Sequence, residues 1–570
     1  MDKFLELTFC AHHRPSGSGR LNATRAAPLV AGVYRQAGFV TDTGFGAVEG
    51  IITGIGSRGP CNTAVSSILA LNATDEERTY FDWFTCRTAT KLPGTFDSEF
   101  WNKLILQASA SEPAVLHAAV ALSSIHKSGI TGTSDDPGGL RRCGHCAPDE
   151  QERFALRHYV KATSHLQPHF LADRNRASCR VALIACLVFI SLELLRGHCR
   201  TAEIHLQNGL GILKEMILSG GEKGSIDLRH RNFTGDPTDD WIVQAFSRLQ
   251  LQCELYKPPS LQGPCFLVPR HPGRQGGNPV IVMFYNSNEA WLELERLFNA
   301  IFYLTQQTRR EQQKLNPSLG PHIKLHSPQL VEQQGLLRTE LARWLSKYEA
   351  LGRRLSKVEL HSSAAGKGIQ LLRVYHTLAD IMAQTCLKPG DEMVYDNCTE
   401  QFVLLLRQCS ELRDISASSD PMPLVPVAPG RGVDMTRTVI DMGWIAPLYY
   451  AAVKCRVHRV RTRAVGLLES TSHREGIWDC KSAARAAWKV MELEERGFYK
   501  EFDTGHEVPL GSVPKPGELS ALPPLPEKHR IRDVEVVLSG VPTDRLLIFG
   551  TREGGDERTC ICEIDVKLSD

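Results

Sequence analysis

The stretch that decides the fold is Phe96–Lys127, FDSEFWNKLILQASASEPAVLHAAVALSSIHK. Its first half reads as an amphipathic helix. Asp97 or Ser98 offers a side-chain oxygen for the N-cap, and Glu99 adds negative charge to the opening turn, where the helix dipole is positive. Phe100, Trp101, Leu104, Ile105 and Ala108 then recur at the spacing of one buried stripe. A second helix follows, with Ser111 as N-cap and Pro113 in the first turn, where a missing N–H costs nothing. Val115, Ala118, Ala119, Leu122 and Ile125 make its inner face, and Gly129 is the expected stop. The joint is too short for anything but a helix hairpin. None of these side chains does chemistry; the pair is a packing unit.

Helical periodicity continues outward from this hairpin. Asp149–Leu171 carries Phe154, Ala155, Tyr159, Ala162 and Leu166 on one side. Val181–Leu195 is apolar almost all round, as in a central buried helix, with Gly197 ending it. Thr201–Met216 returns antiparallel, with Ala202, Leu206, Gly209, Leu210 and Leu213 inward. Further helices are expected at Trp241–Tyr256, Ser287–Gln306, Gln334–Ala350, Gly368–Leu387 and Asp396–Ile415. Polar or Pro/Gly-rich insertions separate them near 130–148, 219–240, 257–279 and 416–432. Beyond Glu501 a Pro-rich run precedes Arg532–Leu538, Asp544–Thr551 and Thr559–Val566, whose alternation predicts a small antiparallel β unit. The fold class is therefore mainly α, an irregular set of packed helix hairpins with a C-terminal β extension. The expected division is 1–75 (a flexible Gly/Ser/Ala-rich region), 76–500 (helical) and 501–570 (linker and β unit).

Three phrases resemble the fungal-specific regulatory domain of zinc-cluster transcription factors. They are the opening hairpin with its lead-in YFDWFTCRTATKLPG (Tyr80–Gly94), VALIACLVFISLELLRG with the following HLQ.GL.IL, and Val433–Ala464 continuing to REGIWDC (Arg474–Cys480) and MELEERG (Met491–Gly497). The likeness spans roughly 76 to 500. It implies a nuclear transcription regulator of RNA polymerase II genes, whose helical domain relays activation and contacts transcription machinery or co-regulator proteins. Relatives often sit beside metabolic or biosynthetic genes. DNA contact in that family comes from six clustered cysteines that bind zinc. Here only Cys10 and Cys61 precede Cys86, so DNA contact is expected to be indirect or through a missing N-terminal module, and no cofactor is expected in this chain. A truncated or mispredicted gene start is one reading; a non-DNA-binding modulator is another. Self-association as a homodimer stays open. Where relatives often carry Asp-Pro, this chain has Val457-His458.

Composition agrees with a soluble globular chain: 42% hydrophobic, 23% charged, formal net charge +2. That is not the basic balance of a nucleic-acid backbone binder. The longest uninterrupted apolar run, Val181–Ile190, is about half of what spans a bilayer, and Met1–Pro15 lacks a basic leader with a long apolar core; no membrane partner is expected.

Several motifs could carry chemistry. Gly54–Gly59 matches G-x-G-x-x-G, but Pro60 follows at once and no second strand precedes the acids at 75–77, so a Gly-rich tail is preferred over a dinucleotide loop. Cys10, His12 and His13 lack a second ligand pair. Cys143-Gly144-His145-Cys146 is the active-site word of thiol–disulfide oxidoreductases, and that enzyme is the rival function. The motif has no strand before it and no helix start beneath it, so chance within an insertion is preferred. His158, His165 and His169 share a helix face, which reads as packing or surface rather than metal. Finally Lys454, Arg456, His458, Arg459, Arg461 and Arg463 form the most basic run, a candidate nuclear-import or nucleic-acid patch. Because Val453, Val457, Val460, Ala464 and Leu467 keep a core face, the expectation is an amphipathic helix with a solvated basic side. No catalytic, cofactor-binding, metal or DNA-binding residue is assigned.

Overall fold

The computed structural model describes residues 74–131, 150–171, 175–219, 236–259, 261–263, 283–314, 327–354, 364–418, 438–500, 502, 522–541, 543–551 and 558–566. The chain divides into two units between Ala64 and Val65, and every described residue lies in the second.

Helix α1 (Asp75–Trp83) opens on a capping box. Thr74 Oγ1 accepts the Glu77 N–H at 3.2 Å while Glu77 Oε2 accepts the Thr74 N–H at 2.9 Å. It runs through a π-helical turn, Phe84–Thr88, into Ala89–Lys91. A second π-helical turn, Phe100–Leu104, leads into α2 (Ile105–Ser111). Phe100, Trp101, Leu104 and Ile105 are buried as their spacing predicts. The wide turn then shifts the register, so Ser109 rather than Ala108 is buried, its hydroxyl donating to the Ile105 carbonyl at 2.7 Å.

Helix α3 (Pro113–Thr131) departs from its expected limits. It starts from Glu112, whose carbonyl accepts the N–H groups of Val115 and Leu116, one residue after the expected cap at Ser111. It also passes through Gly129, since a helix tolerates one glycine near its end when packing holds it. From Ala118 to His126 every residue is buried rather than one face only, because α1 packs on one side while α4 (Glu150–Leu171) and α5 (Arg176–Leu195) pack on the others. All five core residues expected on α4 are buried, and α5 is buried without interruption from Val181 to Leu195. By length and composition α5 could cross a membrane, yet 89% of its apolar window is covered inside the protein; it is a core helix. Gly197, at φ +77°, ends it. Helix α6 (Cys199–Ser219) packs back along α5, and α7 (Pro237–Tyr256) lies across both.

A second group consists of α8 (Ser287–Lys314), α9 (Pro328–Arg354), α10 (Ala364–Thr385) and α11 (Thr399–Ser418). Phe96 stacks on Trp291 at 4.9 Å between ring centroids, tying the opening hairpin to α8, and Trp344 Nε1 donates to the Ala290 carbonyl at 2.9 Å. A third group, α12 (Ile445–Lys454), α13 (His458–Glu469) and α14 (Cys480–Glu495), packs against α11. Three two-residue strands accompany it that periodicity does not predict. β1 (Thr438–Val439) runs parallel to β2 (Arg474–Glu475), which pairs antiparallel with β3 (Trp478–Asp479). Segments this short carry no alternating pattern to read. The C-terminal strands β4 (Arg532–Gly540), β5 (Thr543–Thr551) and β6 (Thr559–Asp565) form the expected antiparallel meander. Its Ile531, Val534, Leu546 and Ile548 enter the same core cluster as α8 to α14. The class is mainly α with a small C-terminal sheet.

Candidate functional site

The basic run is the strongest functional signal in the sequence, and the structure corrects its reading. The helix breaks at Cys455–Val457, and Lys454, Arg456, Arg461 and Arg463 are all buried. Their partners come from elsewhere. Lys454 Nζ donates to Glu392 Oε1 at 2.7 Å and Arg456 Nη1 lies 3.0 Å from Glu392 Oε2. Arg456 Nη2 donates to Glu494 Oε1 at 2.9 Å, and Arg461 Nη2 lies 2.7 Å from Glu494 Oε2. His458 Nδ1 stands 2.8 Å from Glu495 Oε2. Burial alone would raise the Glu392 carboxyl, but Lys454 and Arg456 hold it below the ordinary carboxylate range. Of the expected core stripe, Val453, Val460, Ala464 and Leu467 are buried and Val457 is half-buried. The solvated basic side fails because α14 and the 3₁₀ turn Glu392–Cys398 deliver carboxylates to it, and a local pattern cannot show partners from distant elements. Val457 occupies the N-cap of α13 without a side-chain hydrogen bond. Lys454, Arg456 and Arg461 form an internal ion cluster rather than a free surface for phosphates, while Arg459 of the same run is half-buried.

The cluster reaches the C-terminal sheet. Arg530, buried, donates to both carboxylate oxygens of Asp396 at 2.9 and 2.8 Å and to the Glu392 and Leu525 carbonyls. The Ile531 N–H donates to Glu494 Oε1 at 2.8 Å.

The histidine face of α4 meets side chains from two other helices. His158, buried, has Nδ1 3.2 Å from His117 Nδ1 and Nε2 3.7 Å from Glu77 Oε1. Burial, with Lys161 next in weight, pulls both imidazoles down to about 4. Burial would raise Glu77, but the Thr74 N–H and Lys161 hold its carboxyl below the ordinary value. His165 is exposed and stacks on His117, while His169 faces Glu112 at 3.5 Å. Sequence periodicity finds His158; it misses His117 and Glu77, which arrive from α3 and α1.

Buried thiols are raised out of reach of thiolate chemistry: burial pushes Cys186 and Cys386 up to about 12 and Cys455 to about 11. A small cleft lined by Trp101, Leu187, Leu249 and Ile440 holds Arg248 and Asp441, but these close on each other at 2.8 Å. Cys143, Cys146, Gly54–Gly59, Cys10, His12 and His13 lie outside the described residues.

Comparison with known proteins places this geometry beside transcription regulators. Residues 79–262 match the model described as "Fungal specific transcription factor domain". Residues 79–262 carry a fungal-specific transcription factor domain. That match runs from α1 to just past α7, the part of the molecule that contains the opening hairpin and the central helix α5. The chain is also similar to the aspercryptin biosynthesis cluster-specific transcription regulator atnN of Emericella nidulans, 21% identical over 477 residues and covering 72% of each chain. It is similar to the transcription regulator lscL of Purpureocillium lilacinum, 30% identical over 111 residues, which is 20% of this chain and 25% of that protein. No solved structure matches. The domain and its relatives make the chain a transcription regulator, and the family points to a regulatory rather than a catalytic role.

Proposed function

We infer that the chain regulates RNA polymerase II genes of a metabolic or biosynthetic cluster, acting in the nucleus through its helical domain on co-regulator proteins or transcription machinery. The observation that carries this reading is the domain match over residues 79–262, which coincides with the helices α1 to α7. Cluster-specific regulation is what the name of the Emericella relative says of that protein, and it is proposed for this chain on that similarity. The buried basic run supports contact with DNA through another module or partner, because the most cationic segment has its charges engaged internally.

The test is to tether the chain to a heterologous DNA-binding module upstream of a fungal reporter, with a fluorescent fusion to follow its location. Reporter output is expected to change severalfold in one direction, with the fusion in nuclei. Unchanged output from a nuclear, intact fusion overturns the reading. Removing the gene should then change transcript levels of its genomic neighbours.

A further inference from the structure

We propose that Glu77, His117 and His158 form a site for a zinc-class divalent metal ion at the meeting of α1, α3 and α4. Each of the three residues offers one ligand atom, and these atoms all lie within 4.8 Å of one another. Two imidazole nitrogens and a carboxylate oxygen are the donors of a three-ligand zinc centre that leaves one position open. They suit zinc, cobalt or nickel and not magnesium or calcium, which take oxygen ligands.

His158 can lend the ion only one nitrogen. Its Nδ1 stands 3.2 Å from His117 Nδ1, close to the roughly 3.3 Å that separates two ligands on a tetrahedral ion with bonds of about 2.0–2.1 Å. Glu77 Oε1 lies 3.7 Å from its other nitrogen, Nε2, so the carboxylate must swing toward the Nδ1 side to complete the set. The supports of the site are built as well. The capping box fixes the Glu77 carboxylate, since its Oε2 holds the Thr74 N–H, the sort of outer contact that orients a metal-bound carboxylate. The Phe154 ring lies 4.3 Å from that of His158 and confines it. His165, exposed and stacked on His117, borders the side where water or a fourth ligand would enter.

One group opposes the ion. Lys161 Nζ donates to Glu77 Oε1 at 3.1 Å, and a dication there must displace it. Lys161 is half exposed, 50% by side-chain area, so its ammonium can swing into water. This gives the site a competitor whose removal should tighten metal binding, an effect that a purely structural ion pair does not predict.

The experiment uses the whole chain, stripped of metal with a chelator. Zinc is titrated by calorimetry and cobalt by visible absorption. One equivalent is expected to bind with cobalt bands free of thiolate charge transfer. Affinity should fall at least about tenfold in Glu77→Gln and His117→Asn, and rise in Lys161→Gln. His117 is the more accessible of the two rings, so His117→Asn, checked by circular dichroism, keeps the test meaningful if a His158 variant does not fold. Absence of stoichiometric binding overturns the proposal. So does binding unchanged in both ligand variants, or a thiolate-type cobalt spectrum, which would put the ion on cysteines elsewhere in the chain.

Discussion

Gly209 shows how far one residue can be read. Its place on the inner stripe of α6 follows from periodicity, and the structure gives the reason for a glycine: a Cβ there would stand 2.4 Å from Phe246 Cε1 and 3.0 Å from Cys186 Sγ. Gly209→Ala should therefore lower stability by about 1–3 kcal/mol, even though alanine favours a helix. Gly211, exposed on the same helix with nothing within 4 Å of its would-be Cβ, is the control, and Gly211→Ala should raise stability by up to about 1 kcal/mol. Paired thermal melts check the contrast. A second residue gives a pH signature. Glu295, buried, accepts a hydrogen bond from Ser247, yet burial outweighs this and raises its carboxyl to about 7. A folded-state value above the ordinary one means the native state binds the proton more tightly, so stability is lost as pH rises from about 4.5 through 7. Glu295→Gln removes that loss. Its melting temperature should exceed wild type at pH 8 by the equivalent of about 1–3 kcal/mol and match it near pH 5; equal gains at both pH values would contradict this.

At the scale of elements, apolar periodicity marks the helices and the C-terminal strands, because a stripe of Phe154, Tyr159 and Leu166 is a local property. The two π-helical turns were not legible: nothing in Phe100–Leu104 marks the wider turn that brings Ser109 inward. Nor were the ion partners. Arg461 reads as a surface cation until α14 sets Glu494 beside it, and His158 reads as packing until α3 and α1 bring His117 and Glu77. Pairing between elements depends on the topology, which a local pattern does not contain. This ion cluster predicts a steep asymmetry. Glu494→Ala leaves Arg456 and Arg461 buried without their shared carboxylate and should cost about 3–5 kcal/mol. Lys489, half-buried on the same helix and paired with the exposed Glu492, should lose less than about 1 kcal/mol on change to Ala. Chemical denaturation of the two variants separates them.

For the whole molecule, the near-neutral charge and the internal fate of the basic run set an expectation for nucleic acid. Duplex DNA should bind only at the non-specific level, with Kd about 10⁻⁴–10⁻⁶ M at physiological salt and a steep loss as salt rises. Fluorescence anisotropy across unrelated duplexes measures this, and a sequence preference surviving physiological salt would count against it. The resemblance to a regulatory domain was legible because its phrases are long and follow one another in order. What those phrases do was not: in LELLRG, which Gly197 closes, Glu193 pairs with Arg196 and with the following His198, and MELEERG supplies Glu494 and Glu495 to the ion cluster.

The backbone amide of Ile531 on Glu494 has a consequence for biosynthesis. While the ribosome is still translating, α13 and α14 can come together and Arg456 can reach Glu494, but the second donor to that buried oxygen is encoded later in the message. Arg530, whose guanidinium spans Asp396 and the Glu392 carbonyl, arrives at the same moment. A nonsense codon ahead of these two residues would thus leave a polypeptide with every regulatory helix and an open seam at its centre, a species for chaperones and proteases rather than a shorter working protein.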